Sequence, residues 1–211
     1  MNIIESIIDI IFHLDVHLGQ IISAYGVATY LILFVIIFIE TGLVFAPFLP
    51  GDSLLFVAGA FAALGSLNIF VLLVLLMLAA VAGDTANYWI GHFAGDKIVA
   101  SHKFPIKERH LRKTHEYFQK HGGKTIILAR FIPIIRTYAP FVAGAGKMHY
   151  SKFFYFNVIG AVLWVTLCTL AGYFFGNIPV VKNNFTLFIF VVVAISLIPI
   201  LAQIIRGKFR S

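Results

Sequence analysis

Charge is scarce in this 211-residue chain: 12% of residues are charged, where a soluble domain carries about 25%. With 60% apolar residues and a mean hydropathy of +0.95, the chain cannot cover itself with a solvated surface and reads as an integral membrane protein. Cysteine is nearly absent. Cys168 stands alone in an apolar run, which excludes an intramolecular disulfide and any thiolate motif and leaves the redox compartment unspecified. The N-terminus Met-Asn-Ile-Ile-Glu-Ser lacks a basic n-region, so a cleaved signal is not expected. No Gly-rich phosphate loop occurs. His102, His110, His115 and His121 are eight, five and six residues apart, never the i, i+4 pair that sets two ligands on one helical face. Neither metal nor cofactor is expected. A pI near 9.6 could suggest nucleic acid, but membrane topology accounts for the basic excess better, and no nucleic-acid partner is expected.

What is present is a succession of apolar segments. Residues 3–22 put apolar side chains on one helical face, with Glu5, Asp9, His13 and Gln20 elsewhere, so 1–25 reads as an interfacial amphipathic helix. Residues 26–211 read as one membrane domain. Full spans are expected at 27–45, 68–93, 151–174 and 184–205. Between them lie two broken apolar segments, 46–66 and 125–146, the first interrupted by Pro47, Pro50, Gly51, Gly59 and Gly65 and the second by Pro133.

Eight of the sixteen basic residues lie between Lys97 and Lys124, within the polar loop 95–124, and Arg206, Lys208 and Arg210 are near the C-terminus. The positive-inside rule puts these in the cytoplasm, together with both termini. All of them face inward only if each broken segment enters and leaves on one side. The expected fold is therefore all-α: an amphipathic helix, four spans and two inverted re-entrant hairpins. The pentapeptide Phe-Val-Ala-Gly-Ala occurs at 56–60 and again at 141–145, and Gly-x-x-x-Gly occurs at 91–95 and 172–176, as an inverted repeat would produce.

Glu40, Asp52, Asp84, Arg130 and Arg136 lie in or beside apolar sequence, where a charge costs about 2.5–3.5 kcal/mol to insert at mid-bilayer. Arg130 and Arg136, with Thr137, suit an anionic headgroup, because guanidinium is always charged and presents a planar fork of donors. Glu40 and Asp52 suit proton exchange, pairing with the arginines and releasing them when protonated. Asp84 suits the same proton coupling and serves equally well as a structural counter-ion. Asp52 follows Pro50-Gly51 and also suits an N-cap. Residues 106–121 read as an interfacial basic helix against anionic lipid. Tyr88-Trp89, residues 149–156 and residues 173–175 read as aromatic belts, and Trp164 as a packed core residue. A lipid phosphatase would need a nucleophile and a general acid, for which His149 is the nearest candidate; an enzyme is not expected.

Phe48-Leu-Pro-Gly-Asp-Ser-Leu-Leu55 and Ala129-Arg-Phe-Ile-Pro-Ile-Ile-Arg-Thr137, with Gly83-Asp84 and Gly91-His-Phe-Ala-Gly95 between them, resemble the bacterial DedA family, itself related to the eukaryotic VTT-domain lipid scramblases. The resemblance covers roughly residues 15–205. It implies two re-entrant hairpins, an inner-membrane location and movement of lipids between leaflets, driven by the proton motive force. The implied cargo is the polyprenyl (undecaprenyl) phosphate carrier or a phospholipid. The family's membrane-embedded acids match Glu40 and Asp52, its paired arginines match Arg130 and Arg136, and its acid after glycine matches Asp84. Where relatives carry Gly-Tyr-x-x-Gly-Arg, this chain has Asp96 in the arginine's place. The partners expected are an anionic lipid phosphate, protons and membrane lipids, with a homo-oligomer left open. The competing reading is a proton-coupled small-cation or drug antiporter.

Overall fold

The computed structural model describes residues 14–43, 51–100 and 108–178. All the regular structure among them is helical: α1 (Leu14–Tyr25), α2 (Ala28–Gly42), α3 (Gly51–Ala63), α4 (Ile69–Ala100), α5 (Glu108–His121), a 3-10 turn (Gly122–Lys124), α6 (Thr125–Ala129), α7 (Pro133–Ala145) and α8 (Tyr150–Gly176). Residues 1–13, Pro47, Pro50, His102 and the expected span at 184–205 lie outside the described residues.

The boundaries have local causes. Asn68 caps α4, its Oδ1 accepting from the backbone N–H of Phe70 and Val71 at 3.0 and 3.2 Å. Gly65 ends α3 at φ +81°, and Ser66 N–H reaches back to the Phe61 carbonyl, closing a Schellman turn that a residue with a Cβ would strain. At the start of α7, Ile132 is extended (φ −123°, ψ 104°) and Pro133 opens the helix, where its missing N–H costs nothing. Three residues, Arg130–Ile132, therefore separate α6 from α7. The second broken segment is broken as its proline foretold.

Ile69–Gly95 of α4 and Tyr150–Gly176 of α8 are 27 residues each, long and apolar enough to cross a bilayer. At 1.5 Å per residue each extends about 40 Å, more than the ~30 Å hydrocarbon core. Their outward faces stay apolar: Phe70, Leu78, Phe93, Leu167 and Phe174 are all more than half exposed. Polar residues instead face inward, with Asp84, Asn87, Asn157 and Thr169 all buried. Apolar outside and polar inside inverts the soluble pattern and suits a hydrocarbon surrounding.

The chain divides into two compact units. The first comprises residues 1–32, 49–74 and 166–211; the second comprises 33–48 and 75–165. In the first, α3 packs on the C-terminal end of α8. A Cβ added at Gly59 would strike the Thr169 carbonyl and the Tyr173 N–H, one at Gly172 the Phe56 carbonyl, and one at Gly176 the Cα of Ala60. In the second, α7 packs on the C-terminal part of α4. There a Cβ at Gly144 would strike the Tyr88 carbonyl and the His92 N–H, one at Gly91 the Phe141 carbonyl, and one at Gly95 the side chain of Ala145. The two lists correspond residue by residue. Each Phe-Val-Ala-Gly-Ala helix lies on the Gly-x-x-x-Gly that belongs to the other copy in sequence order, so the two halves of the repeat have exchanged partners.

Aligning the two copies sets Gly51 against Arg136 and Asp52 against Thr137. One turn of equivalent helix thus carries an acid in one copy and a base in the other.

One exposed residue is strained. Lys147, beyond the end of α7, has φ +53°. Lys147→Gly relieves the clash of a Cβ in the left-handed region and is expected to raise stability by about 1 kcal/mol, read as a higher thermal midpoint in detergent.

Candidate functional site

The second unit gathers four of the sequence-nominated charges. Arg130 lies at the break after α6, with a side chain only 1% exposed. Its Nη2 donates to Asp84 Oδ2 on α4 at 2.6 Å and to Asn157 Oδ1 on α8 at 2.6 Å, with the Ala80 carbonyl at 3.4 Å. Asn157 is fixed in turn by donating its Nδ2 to the Val81 carbonyl at 3.0 Å. Gly160, one turn along α8, makes room for the arginine stem: a Cβ there would come within 3.2 Å of Arg130 Cδ and Nε. Arg130 Nε and Nη1 are buried and have no hydrogen-bond partner among the described residues.

Arg136 is the fourth residue of α7 and forms an ion pair with Glu40, near the C-terminal end of α2. Its side chain is 14% exposed and that of Glu40 3%. Both charges occupy the wrong end of their helix. A cation is disfavoured near a helix N-terminus and an anion near a C-terminus, each by a few tenths to 1 kcal/mol. Their mutual attraction offsets that, so either charge left alone would be the less comfortable for its position.

The crossing of α2 with α4 places Glu40. A Cβ on Gly83 would strike Thr41 Oγ1 and come within 2.9 Å of the Phe38 carbonyl, so only glycine lets the helices approach this closely. Asn87 pins the same junction. Its Nδ2 lies 3.3 Å from the Thr41 carbonyl and 3.1 Å from the Thr137 carbonyl, joining α2, α4 and α7.

Both guanidinium groups lie against one indole. The Arg130 Cζ is 5.6 Å and the Arg136 Cζ 5.0 Å from the ring centroid of Trp164 on α8. Trp164 is 1% exposed. Desolvated cation–π contacts of this kind are worth about 2 kcal/mol each.

Of the residues nominated from sequence, Arg130, Arg136, Thr137, Glu40 and Asp84 therefore share this unit, with Thr137 joined through its backbone carbonyl to Asn87. Asp52, in the first turn of α3, belongs to the first unit and is half-buried. Charge and motif pattern alone does not single out Asn87, Asn157 or Gly160, and it gives Trp164 a packing role only. The signal for them was available: amides within apolar 27-residue helices, and Asn157, Gly160 and Trp164 spaced i, i+3, i+7 on one face.

A family model, the VTT domain, matches residues 49–174. Protein DedA of Escherichia coli is 54% identical over 211 residues, covering 99% of this chain and 96% of its own length. This chain belongs to the DedA family. Other DedA relatives carry membrane names: an uncharacterized membrane protein of Mycobacterium leprae is 42% identical over 84% of this chain and 79% of its own. The inner membrane protein YqjA of Escherichia coli is 36% identical over 72% and 69%. No solved structure matches. As a DedA protein with two long apolar helices and an apolar exterior, the chain is a membrane protein.

Proposed function

We propose that this chain is a transporter of the bacterial inner membrane. It flips a lipid phosphate, the polyprenyl (undecaprenyl) phosphate carrier, between leaflets under the proton motive force. The observation that carries this reading is a pair of arginines, Arg130 buried and Arg136 partly exposed, balanced by two acids, in which Arg130 retains unfilled donors. A guanidinium with N–H groups to spare suits a phosphate that arrives with acceptor oxygens and negative charge.

Charge balance supplies the coupling. Arg130 with Asp84 and Arg136 with Glu40 sum to zero. Adding a phosphate would leave the cluster negative in a medium of low dielectric, which is costly. A proton on Glu40 removes that cost and releases Arg136 for the headgroup. Glu40 takes this role rather than Asp84 because its partner is the more exposed of the two arginines. Asp52 is assigned a second step of proton transfer.

The hairpins are part of the same reading. At 13 residues, α3 and α7 each extend about 20 Å, and the five residues of α6 extend less than half of that, short of the ~30 Å core. Segments of that length inside apolar sequence fit re-entry, packed against long helices by the glycine contacts. The basic residues of 95–124 and near the C-terminus support a cytoplasmic position for both termini.

Proteoliposomes with labelled lipids of several headgroups, with and without a pH gradient, test the reading. Polyprenyl phosphate is expected to move fastest and to be accelerated by the gradient. Arg136→Gln is expected to slow it roughly 10- to 100-fold, the worth of a charged hydrogen bond. Glu40→Gln is expected to remove the gradient's effect while slow movement persists. Movement indifferent to headgroup would indicate a phospholipid scramblase instead, and cation flux without lipid movement an antiporter.

A further inference from the structure

We propose that Trp164 is the positioning residue of this site, holding Arg136 in place while that arginine exchanges Glu40 for the headgroup phosphate. The inference rests on the flippase reading and adds a residue to it.

The two arginines are anchored unequally. Arg130 is held by Asp84, Asn157 and the Ala80 carbonyl, from two different helices, and its stem fills the space beside Gly160. Loss of the indole would leave those anchors standing. Arg136 lies nearer the ring, at 5.0 Å, and its salt bridge is to the one acid that must let go during transport. Among the described residues, the charged groups that act on it in this unit include Glu40 from α2, Arg130 from the break before α7 and Asp84 from α4. Once Glu40 is protonated, repulsion from Arg130 would push Arg136 away. The indole attracts a cation without carrying charge, so it can hold Arg136 without competing with phosphate for the guanidinium edge. A carboxylate there would compete, and an aliphatic side chain would not hold.

The chain has two tryptophans, so Trp89→Phe leaves Trp164 as the only one. In that background, Trp164 is replaced biosynthetically by mono-, di- and trifluorinated tryptophan, which keep the ring's shape while weakening its attraction for cations. The apparent KM for polyprenyl phosphate is expected to rise stepwise, to about tenfold at three fluorines, with the maximal rate little changed. Trp164→Phe should fall within the series and Trp164→Leu beyond it. Separately, Arg136→Gln is expected to shift the emission of Trp164, whereas Lys152→Gln is not.

A KM that ignores fluorination means that Trp164 only packs, and overturns the proposal. So does an emission that ignores Arg136→Gln. Should the unmodified protein move no lipid phosphate, the flippase reading fails, and the emission measurement alone then decides whether the indole holds Arg136.

Discussion

Asp84→Ala is expected to destabilise the protein by about 3–5 kcal/mol, because it leaves the Arg130 guanidinium buried without its counter-ion. The measurement is the thermal midpoint of the purified protein in detergent, alongside the yield of folded material. Asp84→Asn keeps an acceptor for Nη2 and should fall between wild type and alanine. Replacing both partners, as in Asp84→Leu with Arg130→Met, removes the unpaired charge and should recover most of the lost stability. Glu40→Gln should cost less than Asp84→Ala, since Arg136 is the more accessible arginine and retains the indole. An Asp84→Ala protein that melts with wild type would show that Arg130 does not depend on this acid and would remove the division between an anchoring pair and an exchanging pair.

The second large effect is expected at the glycine contacts. Gly59→Leu and Gly144→Leu each force a side chain into the backbone of the facing helix, at Thr169 and Tyr88 respectively. Overpacking usually costs 1–3 kcal/mol, and rigid backbone on the far side puts these changes at about 3 kcal/mol or more. Gly→Ala should be milder yet measurable at both. The losses should be similar at the two sites, because the contacts correspond residue by residue. Leucine tolerated at one site and not the other would break that equivalence, as would a double variant whose loss equals that of one single. Thermal midpoints of the four single variants and the double settle the matter.

Much of this was written in the sequence. The two long apolar helices, the helix break at Pro133 and the buried charges Glu40, Asp84 and Arg130 were all legible, because proline geometry and the cost of buried charge act locally. The recurrence of Phe-Val-Ala-Gly-Ala was visible too, and its glycines proved to be contact points. Partner choice was not legible. That Arg130 takes Asp84, 46 residues away, while Arg136 takes Glu40, 96 residues away, depends on how α2, α4 and α7 cross at Gly83 and Asn87. Asn157 escaped notice because an amide carries no formal charge and so raises no alarm in an apolar run. Trp164 escaped because an aromatic ring in the middle of a span is usually filler, and only proximity to two cations gives it another role.

The crossed pairing of the repeats has a consequence for biogenesis. The ribosome finishes α3 at Ala63, yet the surface that α3 lies on, Thr169 to Gly176, emerges more than a hundred residues later. At 5–20 residues per second that is a wait of roughly 5–20 seconds. Throughout it, a short helix bearing Asp52 has α1, where Phe61 lies against Gly19, but lacks the α8 surface on which its glycine packs. A nascent chain in that condition is a natural client for whatever the insertion machinery offers as a temporary shelter, and truncation anywhere before Thr169 leaves α3 without its α8 contact for good.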